Sequence, residues 1–105
     1  GGPLPWKQQE KNRKAFQRFA IKLWKKGYAI INPIENDYFA WKKGQVKYGD
    51  MINCDLAIIS KCDAIVMMRG WNHKNAFGCK IEYEFAILHG IPVIFWNELE
   101  KLEEL

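Results

Sequence analysis

The sequence predicts an α/β domain built on a parallel sheet, and three observations predict it. Amphipathic segments with helical spacing alternate with short apolar runs along the chain. Two of the amphipathic segments end in a glycine, Gly27 and Gly90, and an apolar run follows each at once. The run DAIVMM (63–68) is apolar almost throughout instead of alternating, as a central strand covered on both faces requires.

Each element follows from local spacing. In KQQEKNRKAFQRFAIKLWKK (7–26), Phe16, Phe19, Ala20 and Leu23 recur at i, i+3, i+4 and i+7, which makes one apolar stripe and leaves Lys11, Arg13, Lys14, Arg18, Lys22, Lys25 and Lys26 toward water. Gly27 stops this helix, and YAIIN (28–32) reads as a short buried strand cut off by Pro33. Residues 35–49 are polar and aromatic with two glycines, which predicts a short helix or an irregular loop. DMINCDLAIISK (50–61) has helical spacing, with Ile52, Leu56 and Ile59 on one side, and DAIVMM follows as a strand. A glycine-containing turn then leads into a helix over 79–89, with Ile81, Phe85 and Leu88 as its stripe. Gly90 ends that helix and IPVIFW (91–96) gives the next strand. The tail NELEKLEEL has Leu99, Leu102 and Leu105 at spacing three, an amphipathic end helix expected to pack back on the sheet. A parallel sheet of this kind ordinarily has a strand before its first helix, whereas here GGPLP enters the helix almost directly, so the first strand is expected to be missing or truncated.

Composition narrows the classes. At 105 residues and 49% hydrophobic content the chain is long enough for one domain with a core and too short for two, so residues 1–105 read as a single domain. No segment has the apolar length of a membrane span, and GGPLPWKQQEK lacks the apolar centre of a signal peptide; a cytoplasmic protein without membrane partners is the expectation. Cys54, Cys62 and Cys79 form no CxxC pair, and His73 and His89 stand far apart, so neither a disulfide framework nor a metal site is expected. The net charge of +4 comes largely from the first helix, where a solvated face outweighs a nucleic-acid surface as the reading.

Ligands of open α/β sheets bind outside the carboxyl ends of the strands. Three segments converge on that edge: GGPLP, NPIEND with Asn32 at its start, and RGWNHKNAFG. Asp55 falls beside Ile52 and Ile59 on the helical wheel, so it should point toward the sheet or its rim, where a carboxylate is costly unless it is paired or hydrogen-bonded. Glu82 lies one turn after Gly78, read as the first turn of its helix, where N–H groups favour an ionised acid and glycine leaves room for an approaching group. Glu84 lies about half a turn away from Glu82 and reads as structural or solvated.

The order GPL, then KGYAIINP, then CDLAIISKCDAIVMMRGW, then GCKIEYEFAILHGIPVI resembles the nucleoside 2-deoxyribosyltransferase-like family over nearly the whole chain, in its small branch with a CDAI strand, a GW loop and a G-x-x-x-E helix. The resemblance implies a small open parallel sheet flanked by helices, flavodoxin- or Rossmann-like. It implies a glutamate nucleophile, matched here by Glu82 four residues after Gly78, and an acid that orients the nucleophile or contacts the deoxyribose, matched by Asp55. The turn Gly1, Gly2, Pro3 would cradle the sugar or its phosphate, and the Trp71 loop would border the nucleobase. Relatives place a serine or aspartate six residues before the glutamate; that position is Ala76, and Asn75 beside it is the candidate for the role. The implied activity is cleavage or exchange of the N-glycosidic bond of a deoxynucleoside or its 5′-monophosphate, with no cofactor and with a homo-oligomer, a dimer or larger. A non-catalytic nucleotide-binding module of the same fold is the alternative.

Overall fold

A computed structural model describes residues 6–32, 46–74 and 76–105. The chain divides into two compact units, Gly2–Met51 and Ile52–Leu105.

In the first unit, α1 spans Trp6–Lys25. Its inner stripe is the one the spacing predicts: Leu23 is 5% exposed and Phe16, Phe19 and Ala20 are half-buried. The helix closes in a Schellman motif. Gly27 takes φ +94°, its N–H donates to the Trp24 carbonyl at 2.9 Å, and the Tyr28 N–H donates to the Leu23 carbonyl at 3.4 Å. Residues 28–32 correct one expectation, because they are not in a strand. Apolar content permits a strand, but only a hydrogen-bonded neighbour creates one, and none pairs with this run among the described residues. Most of the predicted loop or short helix of 35–49 lies outside the described residues; its end, from Tyr48, opens the next helix.

Helix α2, Tyr48–Ile59, runs across the division between the units. Met51, Asp55 and Ile59, at spacing four, are its most buried residues at 8%, 1% and 4% exposed, with Ile52 and Leu56 half-buried at their side.

The second unit is a β–α–β crossover. Strands β1 (Ile65–Met67) and β2 (Val93–Phe95) pair in parallel with Ile65 opposite Val93, Val66 opposite Ile94 and Met67 opposite Phe95. Both are shorter than the apolar runs that contain them. The pairing extends by single bonds at the ends, from the Ile65 N–H to the Pro92 carbonyl and from the Trp96 N–H to the Met67 carbonyl, each 2.9 Å. Met67 and Ile94 are 2% and 3% exposed, the centre of this core.

Helix α3, Phe77–Leu88, joins the strands and packs on both. Here a second expectation fails: of the predicted stripe, Leu88 is 81% and Ile81 40% exposed, and Phe85 is only half-buried, stacked on His89 at 4.0 Å. The inward residue is Ala86, 0% exposed, with Cys79, Glu82 and Tyr83 half-buried around it. A helix that carries apolar residues on several sides can turn more than one of them inward, and the small side chain allows the closest approach to the strands. The C-terminus repeats the α1 ending: Gly90 has φ +68°, with the Gly90 N–H on the Ile87 carbonyl at 3.3 Å and the Ile91 N–H on the Ala86 carbonyl at 2.9 Å.

The tail forms a 3₁₀ helix over Leu99–Glu104 in contact with β2. Leucines at spacing three suit its three-residue period, although Leu105 is 63% exposed. Glu98 anchors it by accepting the Phe95 N–H at 3.2 Å and the Lys101 ammonium at 2.8 Å.

Candidate functional site

The carboxyl end of β1 leads into a series of tight turns. The Trp71 N–H donates to the Met68 carbonyl at 3.1 Å, His73 to Gly70 at 3.0 Å and Ala76 to His73 at 2.9 Å, with Gly70 at φ +88°. The turns deliver Trp71 onto the sheet side of α3. Its ring centroid lies 4.6 Å from Tyr83 and 5.5 Å from Phe95, so the loop, the helix and the strand each contribute one ring to a single cluster. Arg69 lies over the Trp96 ring at 4.8 Å, a second tie between the exits of the two strands. Trp71 is half-buried by this packing and keeps part of its surface open.

Helix α3 begins at Phe77, two residues earlier than its sequence suggests, and its N-cap is Ala76, whose side chain caps nothing. Gly78 is therefore inside the first turn, and Glu82 sits in the second, with no acid in the first. This corrects the expectation that the helix N-terminus holds Glu82 ionised, since that influence fades beyond the first turn. Glu82 is half-buried, on the same side of α3 as Gly78 one turn before it. Its charge reaches Cys79: burial first, and then the negative charge of Glu82, push that thiol up from 9.0 to about 11, against a lowering by a backbone hydrogen bond. Glu84 lies on the outer, exposed side of the helix, as its wheel position implies.

Asp55 is the most buried charged residue described, at 1% exposure in the middle of α2. Asn32 is half-buried at the end of the segment after α1, in the other unit. Gly1, Gly2, Pro3 and Asn75 lie outside the described residues.

A shallow depression of about 380 Å³ lies against Tyr83, Glu84, Ile87 and Leu88. It is on the outer flank of α3, away from Glu82, with one carboxylate among apolar walls, and lacks the converging polar groups of a reaction site. Among the described residues no cluster of His, Cys, Asp and Glu is arranged to hold a metal ion, and no helix is long and apolar enough to cross a membrane.

What sequence reasoning missed is the partner of Trp71. The YEF run that holds Tyr83 carries no motif, and only the placement of β2 brings Phe95 to the same cluster.

A family model described as a domain of unknown function matches residues 2–95 of the chain. Neither a curated protein nor a solved structure matches it.

Proposed function

This chain belongs to the DUF4406 family over residues 2–95, and we propose that it cleaves or exchanges the N-glycosidic bond of deoxynucleosides or deoxynucleoside 5′-monophosphates. The observation that carries the reading is the position of Glu82. It is a half-buried carboxylate on the α3 face shared with Gly78, in the second turn of the helix that follows the turn-rich loop from the carboxyl end of β1. That edge is where open α/β sheets bind ligands, and the reading takes the β1–α3–β2 crossover as part of a flavodoxin- or Rossmann-like sheet. Partial burial strengthens a carboxylate's interaction with developing positive charge on a sugar, while partial exposure leaves it reachable.

In the proposed reaction a Glu82 carboxylate oxygen bonds to the anomeric carbon as the carbon–nitrogen bond breaks, and the base departs with the electron pair and takes a proton. Water, or the nitrogen of a second base, then attacks the same carbon, releases the carboxylate and gives up its own proton. Two displacements return the original anomeric configuration, as in retaining glycosidases. Asp55 is assigned the orienting role, and the open part of Trp71 borders the base.

Ala76 favours a second reading, a nucleotide-binding module without turnover. A side chain that neither caps α3 nor offers a polar group leaves the phosphate end of a nucleotide without the serine or aspartate of the resembling family. Incubation with a panel of deoxynucleosides and their monophosphates, with released base followed by chromatography, separates the readings. Release that Glu82→Ala abolishes, with a covalent deoxyribosyl adduct seen by mass spectrometry of intact protein, supports catalysis. Saturable nucleotide binding without release supports the module, and release undiminished in Glu82→Ala rejects the nucleophile.

A further inference from the structure

The charge of this protein is concentrated on one element. Helix α1 holds seven lysines and arginines against one acid, a surplus of +6, although the whole chain carries only +4, so everything outside the helix is net negative. The cations are also ordered. Lys11, Lys14, Arg18, Lys22 and Lys25 follow at intervals of three and four, all five are exposed, and at 3.6 residues per turn they share an arc of about 80°. They make a straight ladder about 21 Å long. The helix's one acid, Glu10, lies off the ladder, 4.0 Å from Arg13.

The ladder has an apolar border. Ile21 and Trp24, one turn apart on its flank, are 49% and 69% exposed, although the stripe that packs inside the unit runs through Phe16, Phe19 and Leu23. An indole left in water beside a row of cations is a stacking platform next to a phosphate track, the pairing that single-stranded nucleic acids use. A lipid surface fits less well. A helix lying in a bilayer interface submerges its main apolar face, and here that face is taken up by the fold, with Leu23 5% exposed.

We propose that the outer face of α1 binds single-stranded nucleic acid, with the five-cation ladder on the phosphates and Trp24 stacked on a base. The surface is independent of the glycosidic reading, because no residue of it belongs to the Glu82 site.

The test is fluorescence anisotropy of a labelled oligothymidylate of about 20 nucleotides. Five phosphate contacts on a single strand give a slope of log affinity against log salt near −3.5, a loss of about 100-fold between about 50 and 200 mM salt. Arg18→Gln with Lys22→Gln should reduce that slope by about 1.4. Trp24→Ala should weaken binding roughly 5- to 150-fold and leave the slope unchanged. Lys61→Gln with Lys101→Gln makes the same change in net charge at exposed positions outside α1 and should change nothing. All these side chains are exposed, and far-UV circular dichroism verifies that each variant keeps the fold. The proposal is overturned by failure to bind at low salt, by an equal loss in the Lys61/Lys101 variant, or by unaltered affinity in Trp24→Ala. Tighter binding to a duplex of the same length, or to vesicles of anionic phospholipid, overturns it as well.

Discussion

Neutralising the candidate nucleophile with Glu82→Gln is expected to make Cys79 a stronger acid. Burial and the Glu82 charge together raise this thiol from 9.0 to about 11, and burial is the larger of the two. Loss of the charge alone should therefore lower the thiol by only part of that rise, because burial, the larger cause, remains. The same shift links to folding. The unfolded thiol loses its proton near pH 9 and the folded one near pH 11, so between these values unfolding releases a proton and stability falls as pH rises. The contribution, on the order of 3 kcal/mol, is complete at neutral pH and lost as pH rises through 11. Alkylation by iodoacetamide across this pH range, resolved by peptide mass spectrometry with exposed Cys54 as internal reference, measures the thiol directly. Urea unfolding of the wild type and of Cys79→Ala over the same range measures the linkage. A Cys79 profile that stays in place when Glu82 is neutralised would refute the placement of that carboxylate beside the thiol, and with it the geometry on which the reaction is built.

Three further outcomes follow from packing and capping. Ala86→Leu inserts three carbons at a site 0% exposed between α3 and the strands, and should destabilise by about 1–3 kcal/mol in denaturant unfolding. Gly27→Ala and Gly90→Ala should each cost about 1–2 kcal/mol; nothing lies within 4 Å of either added carbon, so the whole cost is the left-handed backbone at φ +94° and +68°, and asparagine should recover part of it. The Lys101 ammonium and the Phe95 N–H hold the Glu98 carboxyl below its usual 4.5, so its contribution is complete above that value and is lost as pH falls through the lowered one; protection of the Phe95 amide, its exchange rate relative to that of an unfolded peptide at the same pH, should fall on acidification.

The parts of this fold that were legible in the sequence are those that a few neighbouring residues decide. Gly27 and Gly90 mark both helix ends because a left-handed residue is needed there whatever the rest of the chain does, and the same pair of hydrogen bonds forms at each. The apolar runs around 65–67 and 93–95 contain the strands because an unbroken apolar run leaves no polar alternation to misread, although only Met67 and Ile94 of the six strand residues are buried. The failures are as specific. Residues 28–32 have strand-like composition, but composition does not name a partner. Helix α3 starts at Phe77 behind an alanine cap, so no polar side chain announces its start, and Gly78 reads as a mouth when it is already one residue inside. That displacement moved Glu82 out of the first turn and removed the dipole argument for its charge. The facing of α3 was misread through Ile81, Phe85 and Leu88, because Phe77, Ile81, Phe85, Ile87 and Leu88 leave several apolar sides to choose from and Ala86 is the one turned inward. The burial of Asp55 was legible because its wheel position beside Ile52 and Ile59 is a local fact.

Each rung of the β1–β2 ladder joins residues 28 positions apart, and the parallel direction excludes a hairpin that could form first and be extended later. During synthesis, at ~5–20 residues per second, Ile65–Met67 must therefore wait about 1–6 s for their partners to leave the ribosome. For that interval an apolar segment with unsatisfied backbone groups is open to pairing with another nascent chain. Slower translation across residues 68–95 lengthens that exposure.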